Sequence, residues 1–550
     1  MNKINKYIAG MGVAVMSLAT FNSCIEEVDP QSSTVIESQV NQSSSAVKAL
    51  VWGLPYYFNA CARDYHFEFG YGAMLHMRDV MTGDLPVSPS PSGYDWFAEY
   101  EQTTLLNQDA HTIWYVWAYY NKWIQNTNEA LSAIANANKT GMEDKYAGYE
   151  AVAKAFRAIA YLEMAQMYEF KTNDKFTTGV NADGNNVEGL TVPIVTEKTT
   201  LEEARNNPRA TKEVMQQFIL DDLTYALENI DKFDDSDKVF PHKAEVYGLL
   251  ARLYMWKEDY PKAQEAARNA INNYSGSPMT QSEALSKTSG FNDLSKFMWG
   301  AEQTDANETV KTGIINWTSW MSNETSFGYS GAEPFIMIDA NMYDRIGNSD
   351  WRKLMWKAPE GSPLEGKTEW INSKTAESYP DYASAKFRPV NGDGDNYTVG
   401  AASAYPVMRV EEMYFIEAEA AAHQNAEKGK ELLEKFMKTY RNKTYSCSKT
   451  DQDDVIEEIV FQKRVELWGE GLTFFDIKRL NYSVERGYLG TNFGPGTRFN
   501  TQGRPAWMNF TIYRTEAEDN PALEGWNNPN PTSACLLYTS PSPRDSTSSR

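Results

Sequence analysis

The sequence predicts a mostly α-helical protein, a repeat-like helical scaffold with a loop-rich, irregular insertion between two helical blocks. Three observations lead there. Apolar residues recur at spacings of three and four through several long segments before residue 275, which marks helices with one buried face. From 276 to 405 that rhythm stops, and Gly, Asn, Ser, Thr and aromatic residues take over. It returns at 406 and carries on through most of the remaining chain.

The first element is not part of the fold. Lys3 and Lys6 precede a mostly apolar run from Ile8 to Phe21, the n-region and h-region of a secretory signal peptide. The run is too short for a membrane span, which takes about 20 apolar residues. No A-x-A-like cleavage site follows it. Instead LATFNSCIEE sets Cys24 after the small Ser23 and before Glu26 and Glu27. Residues 1–23 therefore resemble a bacterial lipoprotein signal, in which Cys24 becomes the lipidated first residue. One acyl chain anchors only weakly, at ~0.8 kcal/mol per buried methylene, so stable attachment takes the several chains such a cysteine carries. The acids after it resemble the surface-export signal of Bacteroidetes lipoproteins. Residues 24–42, rich in Ser, Gln, Asn and Val, read as a flexible tether.

Residues 43–275 form the N-terminal helical block. SAVKALVWGLPYYF and the segment from His111, HTIWYVWAYYNKWIQNTNEALSAIANA, are wide apolar stripes. From Tyr149, YEAVAKAFRAIAYLEMAQMY places Val152, Ala155, Phe156, Ile159 and Leu162 on one face. Alanines on the adjoining faces permit close helix approach. After a Gly/Asn/Asp-rich break from Thr172 to Gly189 come Lys212–Ile230, His242–Lys257 and Tyr260–Asn272. An aromatic helix end, a turn carrying Asp259, Tyr260 and Pro261, and then close-set alanines resemble tetratricopeptide units. The physical reason is stacking: an amphipathic pair buries its face only against a neighbouring pair, and small residues let the pairs nest.

The insertion, residues 276–405, contains INWTSWMSNETSFGYSG and NSDWRKLMWKAPEG. So long an irregular stretch tends to be functional, and it is expected to carry the ligand site. Residues 406–534 form the C-terminal helical block, with VMRVEEMYFIEAEAAAH, GKELLEKFMKTYRN and DDVIEEIVFQKRVELWGEGLTFFDIKRLN. From Cys535 the chain becomes a Ser/Pro/Thr tract whose start, CLLYTSPSPRD, resembles a translated sequencing adapter. Residues 535–550 are accordingly read as an assembly artefact and set aside.

Bulk properties narrow the function. A net charge of −22 argues against nucleic acid as a partner, because phosphates call for basic patches. Aromatic residues reach 13%, with 15 Trp and 32 Tyr, more than a core consumes, and the surplus suits binding surfaces. With Cys24 and Cys535 set apart, Cys61 and Cys447 remain, which is no disulfide framework.

Two segments carry a family resemblance. Pro406–His423, PVMRVEEMYFIEAEAAAH, supplies Arg409, Glu412, Ala418, Glu419 and Ala420; Gln462–Leu480, QKRVELWGEGLTFFDIKRL, supplies Arg464, Glu466, Leu467, Glu470, Gly471, Asp476 and Arg479. Together they resemble the SusD/RagB family of outer-membrane glycan-binding lipoproteins of Bacteroidetes. Gln462, Lys463, Gly469 and Thr473 depart from that pattern and bear on its local ion-pair network. GYGAMLHMRDVMTGDL from Gly70, the run Arg209–Asn272 and the late segment DNPALEGWNNPNP fit it too. The resemblance implies a surface-exposed, non-catalytic lipoprotein without a cofactor. Such a protein captures oligo- or polysaccharide and delivers it to a TonB-dependent, SusC-like transporter barrel in the outer membrane.

Glu466 and Glu470 lie four residues apart, on one face if a helix runs through Gly469. Paired carboxylates hydrolyse glycosides at defined separations. Here Arg464, Lys478 and Arg479 lie close in sequence, which favours salt bridges. For binding, the faces of sugar rings stack on Trp or Tyr and their hydroxyls need polar partners. SPSPSGYDWFAEY offers Tyr94 and Trp96 beside Asp95; NWTSWMSNETSFGYSG offers Trp317, Trp320 and Tyr329 amid Asn316, Asn323 and Ser330. No H-E-x-x-H, P-loop, G-x-S-x-G or G-x-G-x-x-G motif occurs. His66 and His76 read as packing or surface residues. NGDGDN alternates like a calcium loop, but Ala402 holds its twelfth position, so it reads as a turn and no metal site is assigned. Two alternatives stay open: a helical glycoside hydrolase or lyase, and a tetratricopeptide-type protein-binding scaffold.

Overall fold

The computed structural model describes residues 44–62, 65–89, 106–288 and 290–532. The signal segment, Cys24, the tether, Tyr94, Trp96 and the adapter-like end lie outside the described residues. Helix α1 (Ser44–Trp52) and helix α2 (Tyr71–Val80) precede two long helices, α3 (His111–Asn136) and α4 (Glu143–Tyr168). Then come α5 (Lys212–Asn229), α6 (Lys243–Lys257) and α7 (Tyr260–Asn273). Each packs on its successor: α3 on α4, α4 on α5, α5 on α6 and α6 on α7.

The turn between α6 and α7 shows how sequence sets this stack. Glu258 ends α6 in the left-handed region at φ 60°, and the Asp259 side chain caps α7, accepting from the Lys262 amide. Pro261 sits in the first turn of α7, where its missing N–H costs nothing. Ala263, Ala266, Ala267 and Ala270 then form the buried face of α7. Helix α4 packs against α1, α3, α5 and α6. Its buried residues lie on every side, from Tyr146 to Tyr168, as a helix enclosed by neighbours requires. Its one deeply buried guanidinium, Arg157, forks onto Asp222 of α5 at 2.7 and 2.8 Å and reaches Glu197 at 2.6 Å. That pairing satisfies a charge that would otherwise oppose burial.

The irregular region leaves and rejoins the stack at one place. Strand β1 (Trp299–Glu302) pairs antiparallel with β2 (Ala404–Met408), and the loops and short helical turns between them project from this ribbon. A bridge between Val87 and Ile336 ties them to the N-terminal block. After β2 the stack resumes with α9 (Val410–Gln424), which packs directly on α7; helix α8 (Trp317–Met321) lies within the inserted region. Helix α10 (Ala426–Tyr440), α11 (Gln452–Glu466) and α12 (Thr473–Leu480) complete the block. At the α9–α10 crossing, a Cβ on Gly429 would stand 2.4 Å from Cβ of Ala422, so only glycine lets these helices meet. The last described segment closes over α4. Asn528 donates to the Tyr168 and Phe510 carbonyls and accepts from Arg209 at 2.8 Å.

The architecture is mostly α and tetratricopeptide-like. Among the described residues no helix is long and apolar enough to cross a membrane. Cys447 is a buried free thiol.

Candidate functional site

The carboxylates come first, because they decide between chemistry and structure. Helix α11 ends at Glu466, so it does not run through Gly469, which takes φ 79°. The condition for one continuous helical face is therefore not met. The chain turns through Gly469 and Gly471, and the turn still brings Glu466 and Glu470 to one guanidinium. Arg409 reaches Glu470 at 2.9 Å and Glu466 at 3.3 Å. Arg441 and Arg352 also hold Glu466, at 2.7 and 3.2 Å, and Lys386 holds Glu470 at 2.7 Å. Every member is buried. Burial alone would raise the Glu466 carboxyl, but Arg441, Arg409 and Arg352 outweigh it and hold the group well below the usual carboxylate range. A carboxylate so locked neither donates a proton nor reaches a substrate.

The departures from the family pattern are accommodated. Gln462 accepts from Arg352 at 2.5 Å, and Lys463 pairs with Asp476 at 2.8 Å. Arg464 turns away to pair with Asp84.

The tryptophans picked out in the insertion turn inward. Asn316 caps α8, accepting from the Ser319 amide, and the helix directs both Trp317 and Trp320 into the core. Trp317 is 0% exposed, stacked on Tyr405 at 5.0 Å and edge-on to Phe387 at 5.2 Å. Trp320 is 2% exposed and packs on Phe69, His76 and Tyr329. Neither ring offers a face to a sugar, which corrects the expectation of direct stacking. Tyr329 is also buried, with its hydroxyl joined to Nδ1 of His66. His76 is a core residue against Met321 and Trp320.

Other rings are part-exposed, and the sequence reading missed them. Tyr65 is 38% exposed and lies 4.3 Å from the His111 ring, which lies 4.8 Å from half-buried Trp114. The His111 imidazole meets the buried Glu68 carboxylate at 2.6 Å, fixing the ring's orientation. Next to Tyr65, half-buried His66 joins Tyr329; two residues before Tyr329, Phe327 packs 6.5 Å from Tyr397, itself 38% exposed. Burial lowers the His66 imidazole below its ordinary value, so it is neutral at pH 7. Two groups of part-exposed rings result, Tyr65 with His111 and Trp114, and Tyr397 with Phe327, while the buried Tyr329 is joined to His66. Hydrogen-bonding groups stand beside them. The Ser326 hydroxyl donates to Asp395 at 2.8 Å, and Asp393 accepts from the amides of Asp395 and Asn396, building the NGDGDN turn.

No signal in the sequence marks these positions: Tyr65, His111 and Tyr397 come from separate segments and share no spacing. The burial of Trp317 and Trp320 did leave a trace. Asn316 followed by two Trp at i and i+3 is a capped turn with one apolar face.

Comparison with known proteins agrees with this architecture. No match was found among curated protein sequences. The chain aligns along 89% of its length with 98% of a SusD-like carbohydrate-binding protein from Bacteroides vulgatus, at 21% identity and a TM-score of 0.69. A SusD superfamily protein from Bacteroides thetaiotaomicron aligns with 87% of the chain and 98% of its own, at 17% identity and a TM-score of 0.66. A laminarin-binding SusD-like protein covers 89% and 99%, at 17% identity and a TM-score of 0.58. Residues 77–255 match the family described as starch-binding associating with outer membrane. Residues 258–545, more than half of the chain, match the model of the SusD family, and the protein belongs to that family.

Proposed function

We propose that this protein is a non-catalytic glycan-capture lipoprotein of the outer membrane. It is held there through Cys24, faces the exterior, and passes oligo- or polysaccharide to a TonB-dependent, SusC-like transporter. The observation that carries the binding reading is the pair of part-exposed ring groups, Tyr65 with His111 and Trp114, and Tyr397 with Phe327. Flat faces supply affinity without demanding one sugar, and neighbouring polar groups satisfy the hydroxyls that binding desolvates. Trp320 packs against Tyr329 and supports it from the core, while Trp317 packs on Tyr405 and Phe387. Tyr94 and Trp96, outside the described residues, are proposed as further glycan contacts. The laminarin-binding relative and the starch-binding family description support a carbohydrate ligand.

The reading against catalysis rests on the locked pair Glu466 and Glu470, whose oxygens face arginines and a lysine. Affinity electrophoresis of the chain from residue 32 to 534 through gels containing single polysaccharides tests this function. Retardation in at least one gel, with no new reducing ends after prolonged incubation, is the expected result. Release of reducing ends would establish an enzyme instead. Unaltered mobility in every polysaccharide would leave a protein-binding scaffold.

A further inference from the structure

Five helices enclose a small cavity that glycan capture does not use. It measures about 40 Å³ and lies among α4, α6, α9, α11 and α12. That is room for a few water-sized groups and too little for a sugar. Its charged wall is built from Glu163, Arg252, Glu412, Lys463, Asp476 and Arg479, with part-exposed Gln166 beside them. None of these residues belongs to the two groups of part-exposed rings.

The acceptors on this wall are used, and two donors are not. Both Glu412 oxygens take the Arg252 fork, each at 2.7 Å. Glu163 accepts from Arg78, Tyr120 and Tyr71 at 2.7, 2.7 and 2.6 Å. Asp476 holds Lys463 at 2.8 Å and accepts from Arg479 at 3.1 Å. Against these, Nη1 of Arg252 and Nη1 of Arg479 are buried without a hydrogen-bond partner. The two side chains are only 9% and 6% exposed. The rest of each guanidinium is anchored. Arg252 also donates to the Val407 carbonyl at 2.8 Å, while Arg479 holds Glu419 and interacts with Tyr260. A charged N–H left without an acceptor inside a protein is costly.

The kind of occupant follows from this imbalance. Water accepts such bonds but must also place its own hydrogens, and the carboxylate oxygens of the wall already hold donors. A small anion accepts from both cations and has nothing to donate, and bonds to charged donors are the strong ones. Three cations and three carboxylates line the cavity, so directed N–H groups would hold the ion without a net field. We propose that this cavity binds one halide-sized anion between Arg252 of α6 and Arg479 of α12, linking the N-terminal and C-terminal helical blocks.

Bromide soaked into crystals of the full chain is the direct probe, because its anomalous signal separates it from water. A peak within hydrogen-bonding reach of Arg252 Nη1 and Arg479 Nη1 is the expected result. In solution, chloride replaces gluconate at constant ionic strength, which keeps general screening fixed. The unfolding midpoint should then rise saturably by about 1–3 °C, since an ion that binds only the folded state stabilises it. Arg252→Lys keeps a charge facing Glu412 and removes Nη1, so the response should need roughly tenfold more chloride. Arg479→Lys is the second variant, with the same expectation. Ordered water in the cavity and no bromide peak would overturn the proposal, as would a midpoint indifferent to chloride. A peak without the solution response would show binding at crystal concentration only, and would overturn it as well. An unchanged chloride response in either folded lysine variant would place the ion elsewhere.

Discussion

Trp317 and Tyr65 belong to two populations of aromatic residue that look alike in sequence and do opposite work. Both come from loop-rich stretches dense in polar residues. Trp317 lies at 0% exposure between Tyr405 and Phe387, whereas Tyr65 stands 38% exposed against His111. The difference lies in the local backbone. A capped helical turn aims Trp317 and Trp320 at the core, while Tyr65 is held at the rim, its amide donating to Glu68. In an aromatic-rich protein, then, ring content does not locate the binding surface. What locates it is which rings the backbone leaves facing outward.

The sharpest way to break this contrast is to truncate one ring of each kind. Trp317→Ala removes a fully buried indole and should cost about 3–5 kcal/mol, read as a lower denaturation midpoint, with any loss of glycan binding following the loss of fold. Glu466→Gln comes next, at about 3 kcal/mol, because it leaves Arg441, Arg409 and Arg352 short of a counter-charge. Its pH dependence has a definite sign. The folded pKa lies well below the usual value, so the stabilisation is complete above the unfolded pKa, about 4.3. It is lost as pH falls through the folded value. The stability gap between wild type and Glu466→Gln should therefore shrink on acidification below about pH 4, measured by denaturant unfolding at each pH. A gap that widens would contradict the ion-pair account.

Gly429→Ala tests the helical stack alone. Its Cβ would meet Ala422 at 2.4 Å, and such overpacking costs about 1–3 kcal/mol; glycan retention at low temperature should be unchanged. The smallest effect on stability is expected at the rim. Tyr65→Ala should leave the midpoint within about 0.5 kcal/mol yet weaken binding roughly tenfold, about 1.4 kcal/mol, as an exposed anchor does.

Much of the fold was legible because helices announce themselves locally. The spacing in Tyr149–Tyr168, the Asp259-Tyr260-Pro261 turn and the α7 alanines each encode a face and a boundary. The helical motifs around Arg409 and Glu466 were legible as structural for the same reason, since basic neighbours in sequence signalled pairing. Whether a helix continues through Gly469 was left open by the sequence; it ends at Glu466, and Gly469 takes a positive φ. The site was the least legible part. Tyr65 meets His111, and Tyr397 meets Phe327, only through tertiary contacts among separate segments. The periodicity that finds a helix face has nothing to act on there, and the tryptophans chosen by loop composition are buried.

The most direct measurement compares two variants in a gel containing a polysaccharide that retards the wild type. Tyr65→Ala/Tyr397→Ala should migrate as in a gel without polysaccharide while keeping the wild-type unfolding midpoint. Retardation equal to the wild type in that folded double variant would show that these outward rings do not hold the glycan, and the account of the site would fall.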